Sequence, residues 1–438
     1  MKLLDSPTFL KKGFLFSLIL AFLFIISKNG LREVFFPTLP AEDGTFFFQI
    51  FYNEHELHHI FRFYSGYISV LPHLIAYLLA FLPVVWIPSA FALVSLLITA
   101  IALALFHKLA MLFWRNPLFA IYSVAIISAL PLGDSWIVGT LAYQSWNFIL
   151  ILFIAILLPF PKNKFQRIPY ILFFHLAIWS HPLSALIIPP LLYKIIKANE
   201  ERLNRALFCL SGTAYYFFGT SGGNLSAFNP LETLQIFFIR VTAESAIGPV
   251  NRMDWAQAGY DASLLILGII LTVLLGILLA KHWKEKTQAE KNALATLVFF
   301  LVTSAAIAFI FRVQSRGLGM DYISAVWGVQ YSYLSKIIFI FLSIIALKPV
   351  IWKEGIRLRL HLCAIVLLIV FNSNGKDVYK TREDNGRTII KFVQLIERNF
   401  PNCRPGEQKL VTLKKGDKPS IGATRNFDIA IDICAPLK

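Results

Sequence analysis

The sequence predicts an all-α polytopic membrane protein with about 11 transmembrane helices. Three observations predict it. Of 438 residues, 57% are hydrophobic and only 15% are charged, far less charge than a soluble chain of this size carries. The apolar residues come in continuous runs near the ~20 residues that cross a hydrocarbon core, without the alternation of barrel strands. The basic residues, which bring the net charge to +16, sit in short clusters between those runs, as the positive-inside rule requires. They form no single patch, and nucleic acid is not expected as a partner.

The runs set the order of spans. A first span covers about Gly13 to Ser27, with Lys11 and Lys12 at its start, so the N-terminus is expected in the cytoplasm and the first loop, about residues 28–86, outside. No small-residue cleavage site follows this span, which reads as a retained anchor. Gly66 to Leu82 carries Pro72 and His73 and fits an interfacial helix better than a span. Ile87 to Phe106 then runs inward to His107-Lys108 and Arg115, and Leu118 to Leu132 runs outward to Asp134. Trp146 to Phe160 returns to the basic stretch Lys162 to Arg167, and Ile168 to Ser180 with Pro182 to Ile196 makes an out-and-back pair. Ala206 to Thr220 leads to a long polar loop, Ser221 to Tyr260. Ala262 to Ala280, Ala293 to Phe311 and Ile337 to Leu347 follow, and a last span ends near Asn372. Residues 1–372 are thus the membrane domain, and 373–438 a small extracytoplasmic tail. The tail is too small for a large core of its own, and a disulfide between Cys403 and Cys434 is expected to brace it.

Three outer segments collect the unusual polar residues. The first holds Glu42, Asp43, His55, His58, His59 and Arg62; the second Asp134, Gln144 and Asn147; the third Arg312, Gln314, Arg316 and Asp321. Carboxylates facing arginines beside a bilayer suit a lipidic, phosphorylated, hydroxyl-rich substrate. Arginines bind phosphate through charge-assisted, often bidentate bonds, and a carboxylate can take the proton of an attacking hydroxyl. A plainer role for Glu42-Asp43 is to cap a surface helix that begins near Thr45. Arg312 and Arg316 could equally serve as interfacial anchors.

The order of these parts resembles the GT-C superfamily of membrane glycosyltransferases. The resemblance is strongest over residues 1–200. Glu42-Asp43-Gly44 stands where the family has its catalytic outer-loop carboxylate, and Asp134 where it has a second acidic residue after the third span. Arg62-Phe63-Tyr64-Ser65-Gly66-Tyr67 looks like the basic-x-x-x-Gly-Tyr stretch of aminoarabinose-transferase-like members. The late Arg-Tyr pair of many members is replaced here by Gln330-Tyr331, which lacks the charge. The resemblance implies transfer of a sugar from a polyprenyl-phosphate donor to a lipid-linked glycan, a surface polysaccharide or a protein, at the outer face of a bacterial inner membrane. Asp43 would be general base, with Glu42 and Asp134 in support. Arg62 would bind donor phosphate, and so would Arg312 or Arg316 in place of the missing late arginine. A divalent cation, Mg or Mn, is a candidate cofactor, with Asp43 and Asp134 as candidate ligands. A transporter or flippase for a lipid-linked glycan is the alternative.

His55-Glu56-Leu57-His58-His59 also matches H-E-x-x-H. On a helix the motif would set His55 and His59 on one face for zinc, with Glu56 as base. No further motif supplies a third ligand, and the stretch lies outside the spans, so a protease is not expected. Ser221-Gly222-Gly223-Asn224 lacks the Lys-Ser/Thr of a phosphate-binding loop and reads as a turn.

Overall fold

A computed structural model describes residues 7–27, 34–35, 37, 39, 43–64, 66–130, 138–197, 201–220, 229–310, 330–351, 389–391, 393–395, 397–398, 410–413 and 429–432. Glu42, Asp134, Arg312, Arg316, Cys403, Cys434 and the expected last span lie outside these residues.

The described chain is mostly helical. Helix α1 (Pro7–Ile25) leads to a π-helical turn at Asp43–Gln49, α2 (Ile50–Glu54) and a 3₁₀ turn at Leu57–Phe61. A short hairpin, β1 (Phe63–Tyr64) and β2 (Tyr67–Ile68), precedes α3 (Val70–Leu79). Helices α4 (Ile87–Trp114), α5 (Pro117–Ala129), α6 (Gln144–Leu157) and α7 (Lys164–Ile178) follow. After a 3₁₀ turn at Pro182–Ile187 come α8 (Ile188–Lys197) and α9 (Arg202–Phe218). Next is a broken helix: α10 (Pro230–Ile236), a π-helical stretch Phe237–Ala243, and α11 (Glu244–Ile247). Then come α12 (Pro249–Gln257), α13 (Asp261–Lys281), α14 (Gln288–Ala308) and α15 (Gln330–Ile351). Strands β3 (Leu410–Leu413) and β4 (Ile429–Asp432) pair antiparallel.

Three described helical stretches, Val84–Trp114, α13 and α14, are long and apolar enough to cross a membrane. Shorter apolar helices accompany them at Lys12–Ile25, Val70–Leu79, Pro117–Ala129, Gln144–Leu157 and Tyr331–Leu347. Helix α6 is the hub, and every one of its residues is buried, as expected of a helix that is apolar all round. It packs on α3, α4, α7, α14 and α15. Phe153 stacks on Phe300 of α14 with centroids 3.9 Å apart. Helix α13 is the opposite case: Ile266, Ile270, Val273, Leu274 and Ile277 are exposed, and they give it an apolar face suited to lipid.

The basic loops gather at one end. Arg115 turns left-handed to close α4, and Asn116 caps α5 by accepting from Phe119 N at 3.1 Å. Thr287 and Glu290 form a capping box at the start of α14. Just before it, Lys286 Nζ lies 4.6 Å over the Trp114 ring, which brings the 114–116 and 281–287 loops together. Arg167 pairs with Glu201, and Arg205 donates to Lys194 O at 3.2 Å.

The first loop joins the opposite end. Ile68 N donates to Gly219 O at 2.9 Å, Val70 N to Trp179 O at 3.0 Å, and Tyr215 Oη to Ile68 O at 2.7 Å. Strand β4 packs on the Asp43–Gln49 turn and on α2, so this part of the tail is docked on the first loop. Within the stretch 66–82, expected as an interfacial helix, the structure has the ten-residue α3 after the β1–β2 hairpin. The expected polar loop from Ser221 to Tyr260 is corrected over residues 229–260, which are largely helical and carry buried charges.

Candidate functional site

Asp43 begins the π-helical turn of the first loop and is 1% exposed. Its Oδ2 accepts from Leu141 N and its Oδ1 from Ala142 N, both at 2.8 Å. Those amides belong to the tight turn that leads into α6 and have no helical partner there, so the carboxylate supplies what the helix start lacks. Asp43, expected in an outer loop, is thus buried against the start of α6. Each oxygen of Asp43, expected as a Mg or Mn ligand, thus accepts from one backbone amide.

A polar network continues from that turn into the hub. Gln144 Nε2 donates to Thr140 O at 3.0 Å, and Asn147 Nδ2 donates to Gln144 Oε1 and Thr99 Oγ1, each at 2.9 Å. Tyr333 Oη on α15 donates to Asn147 Oδ1 at 2.7 Å. Trp146 lies between the His181 ring, 4.4 Å away, and Tyr331, 6.3 Å away. His181 in turn meets Tyr67 of the first-loop hairpin at 5.2 Å. Segments expected at one membrane face thus meet around the start of α6.

One helical turn along α15 from Tyr333 stands Lys336, fully buried and about 4.5 Å further along the axis at 1.5 Å per residue. Its Nζ donates to Glu244 Oε1 at 2.7 Å. Arg252 Nε lies 3.0 Å and Arg240 Nε 3.5 Å from Glu244 Oε2, and neither arginine is more than 1% exposed. Among the described residues, three cations surround one carboxylate. The π-helical stretch turns Arg240 inward, and Gly268 of α13 lets it come close. A Cβ at Gly268 would sit 2.1 Å from Phe238 O, and Thr242 Oγ1 bonds Gly268 O at 3.0 Å. Close backbone approach at a small residue is a usual device of membrane helix packing, and π-bulges concentrate at functional sites.

Sequence reasoning missed Arg240, Glu244, Arg252 and Lys336. A signal was present: Lys336 interrupts the apolar run Tyr331 to Leu347, and a charge within such a run is a functional hypothesis by default. Beginning that span at Ile337 left the lysine outside it.

Arg62 is exposed beside the 3₁₀ turn, where its N–H donates to His59 O at 3.1 Å. The H-E-x-x-H residues do not share a helix. His55 adopts φ 51°, which ends α2, and His59 lies on the separate 3₁₀ turn. The one-face geometry that the motif needs for zinc is absent. His73 is buried under the loop, its Nδ1 3.1 Å from Ile60 O. Burial lowers its pKa from 6.5 to about 4, a shift that nearby Arg62 and His59 reinforce and the bond to Ile60 opposes.

Comparison with known proteins finds no family model, no curated protein and no solved structure that matches this chain.

Proposed function

We propose that the protein is a membrane glycosyltransferase that moves a sugar from a polyprenyl-phosphate donor to a hydroxyl acceptor at the outer face of a bacterial inner membrane. The observation that supports this most is Lys336, one turn along α15 from the Tyr333–Asn147 contact, joined with Arg240 and Arg252 around Glu244. A donor phosphate would take over from Glu244 as counter-ion to these cations, through charge-assisted bonds. Its negative charge would then be held as the phosphate leaves.

In the reaction the acceptor oxygen attacks the anomeric carbon and the bond from that carbon to the phosphate oxygen breaks. Polyprenyl phosphate leaves with the electron pair, and a carboxylate takes the acceptor's proton. Asp43 serves as the positioning residue that ties the first loop to α6. Glu42, next in sequence to Asp43, and Asp134, in the connection that leads to Leu141, are assigned the proton. Arg62, exposed on the same loop, is assigned to guide the donor headgroup. Arg312 and Arg316 precede α15 in sequence and keep their proposed role beside the donor phosphate.

The test is reconstitution in proteoliposomes with radiolabelled polyprenyl-phosphate hexoses and pentoses and a lipid-linked glycan acceptor. Transfer of label to the acceptor is expected, and Lys336→Met should reduce it. Movement of intact labelled lipid between leaflets without transfer would overturn the reading in favour of a flippase. The flippase reading draws on the same ion cluster, since buried intramembrane charges also mark transport paths. For orientation, an impermeant thiol reagent should label Arg62→Cys from outside and Lys284→Cys only after permeabilisation. The reverse pattern would overturn the proposed sidedness.

A further inference from the structure

The His-rich turn of the first loop has lost its H-E-x-x-H geometry but gathers a different set of donors. Glu56, His58 and His59 each offer one ligand atom, and these atoms lie within 4.8 Å of one another. His58 Nδ1 is 2.8 Å from Glu56 Oε2, and His59 Nε2 pairs with Glu54 Oε2. The two imidazoles lie side by side, tilted by 42°, with centroids 4.1 Å apart. We propose that Glu56, His58 and His59 bind one divalent transition-metal ion of the zinc type, that Glu54 completes the set by a side-chain movement from its place against His59, and that His55 takes no part.

The donor chemistry fits. Two imidazole nitrogens and two carboxylate oxygens make a four-member set of the kind zinc accepts, at bonds of roughly 2.0–2.2 Å. With both imidazoles neutral, the two carboxylates balance a divalent charge. Each histidine already faces a carboxylate. The backbone supports the set. The left-handed turn at His55 folds Glu56 back, and the 3₁₀ turn at Leu57–Phe61 presents His58 and His59 in succession. His59 is buried, edge-on to Phe51 at 6.2 Å. The next residue, Ile60, is held through its carbonyl by His73. His55 is directed elsewhere, its ring lying 5.3 Å from Phe81. Bound metal would fasten the end of α2 to the 3₁₀ turn that leads into the β1–β2 hairpin. This role is independent of sugar transfer.

The test uses the tag-free full chain, stripped with chelator, in detergent micelles. Zn²⁺ is titrated in competition with a chromophoric chelator, and bound metal is counted by mass spectrometry. One equivalent is expected. His58→Ala and Glu56→Gln alter exposed side chains, so both should elute as wild type from size exclusion. Each should weaken Zn²⁺ binding roughly tenfold or more, the scale on which metal sites respond to altered ligation. His55→Ala should bind as wild type. Absence of bound Zn²⁺ at micromolar free metal would overturn the site. So would a loss in His55→Ala as large as in His58→Ala, which would restore the H-E-x-x-H pair instead.

Discussion

Asp43 and Glu244 are both buried carboxylates in a largely apolar protein, and they are neutralised in opposite ways. Asp43 is held by two backbone amides that have no other use in the turn before α6. Glu244 is held by Lys336, Arg252 and Arg240, side chains from separate helical segments. A carboxylate satisfied by backbone is an anchor, because releasing it strands fixed donors. A carboxylate satisfied by side-chain cations can be exchanged for another anion, because those cations keep their value to any phosphate. The contrast separates the part of the site that holds shape from the part that can bind.

Lys336→Met should strike this comparison hardest. It leaves Glu244 without its hydrogen-bonded cation in a fully buried place, a change that typically costs about 3–5 kcal/mol. Thermal unfolding in detergent would measure it, and adding Glu244→Gln should deepen the loss, because Arg240 and Arg252 would then be buried without an anion. A single variant as stable as wild type would mean that the cluster does not hold together as a unit. Asp43→Asn should cost less, about 1–3 kcal/mol, by turning an amide group toward an amide donor. Its signature is local: faster hydrogen exchange at Leu141 and Ala142, with no change around Glu244. Exchange that rises at both places would erase the distinction between anchor and binding group.

His73 gives a third kind of buried polar group, one kept neutral. Its folded pKa, about 4, lies below its ordinary 6.5, so the unfolded chain binds the extra proton first as pH falls. The stability due to a neutral His73 is complete above about pH 6.5 and drains away between 6.5 and 4. It amounts to at most about 2 kcal/mol at pH 5. Melting curves at pH 7.5 and 5 should differ for wild type and converge for His73→Phe. Arg62→Ala should be the mildest change, within about 0.5 kcal/mol for an exposed side chain. It should still move the His73 transition to slightly higher pH, because the guanidinium helps to hold that pKa down. In the transfer assay it should raise KM for donor more than it lowers kcat.

How much of this was legible in the sequence depends on how the residues are encoded. Continuous apolar runs and basic clusters encode the helices and their two ends directly: α13 matches its expected span to within one residue at each end, α14 starts and ends earlier than its own, and α4 starts where expected but runs on from Phe106 to Trp114. Pro72 and His73 marked α3 as a helix apart from the spans. The first loop was legible as the place where Asp43 would matter. Its burial was not, because the partners are backbone amides of Leu141 and Ala142, and backbone leaves no trace in residue identity. The ion cluster was illegible for a different reason. Arg240, Glu244 and Arg252 occupy a stretch whose polar composition reads as loop, and only a π-helical turn against Gly268 places them inside. The H-E-x-x-H match erred in the other direction. Its spacing presumes an unbroken helix, and one left-handed residue, His55, removes that premise.

The docking of β4 on the Asp43–Gln49 turn and α2 has a consequence for timing. During synthesis the first loop emerges long before the strand that covers it. Its face against β4 therefore stays open until the chain between them has been made, and closing that face is among the last steps of assembly.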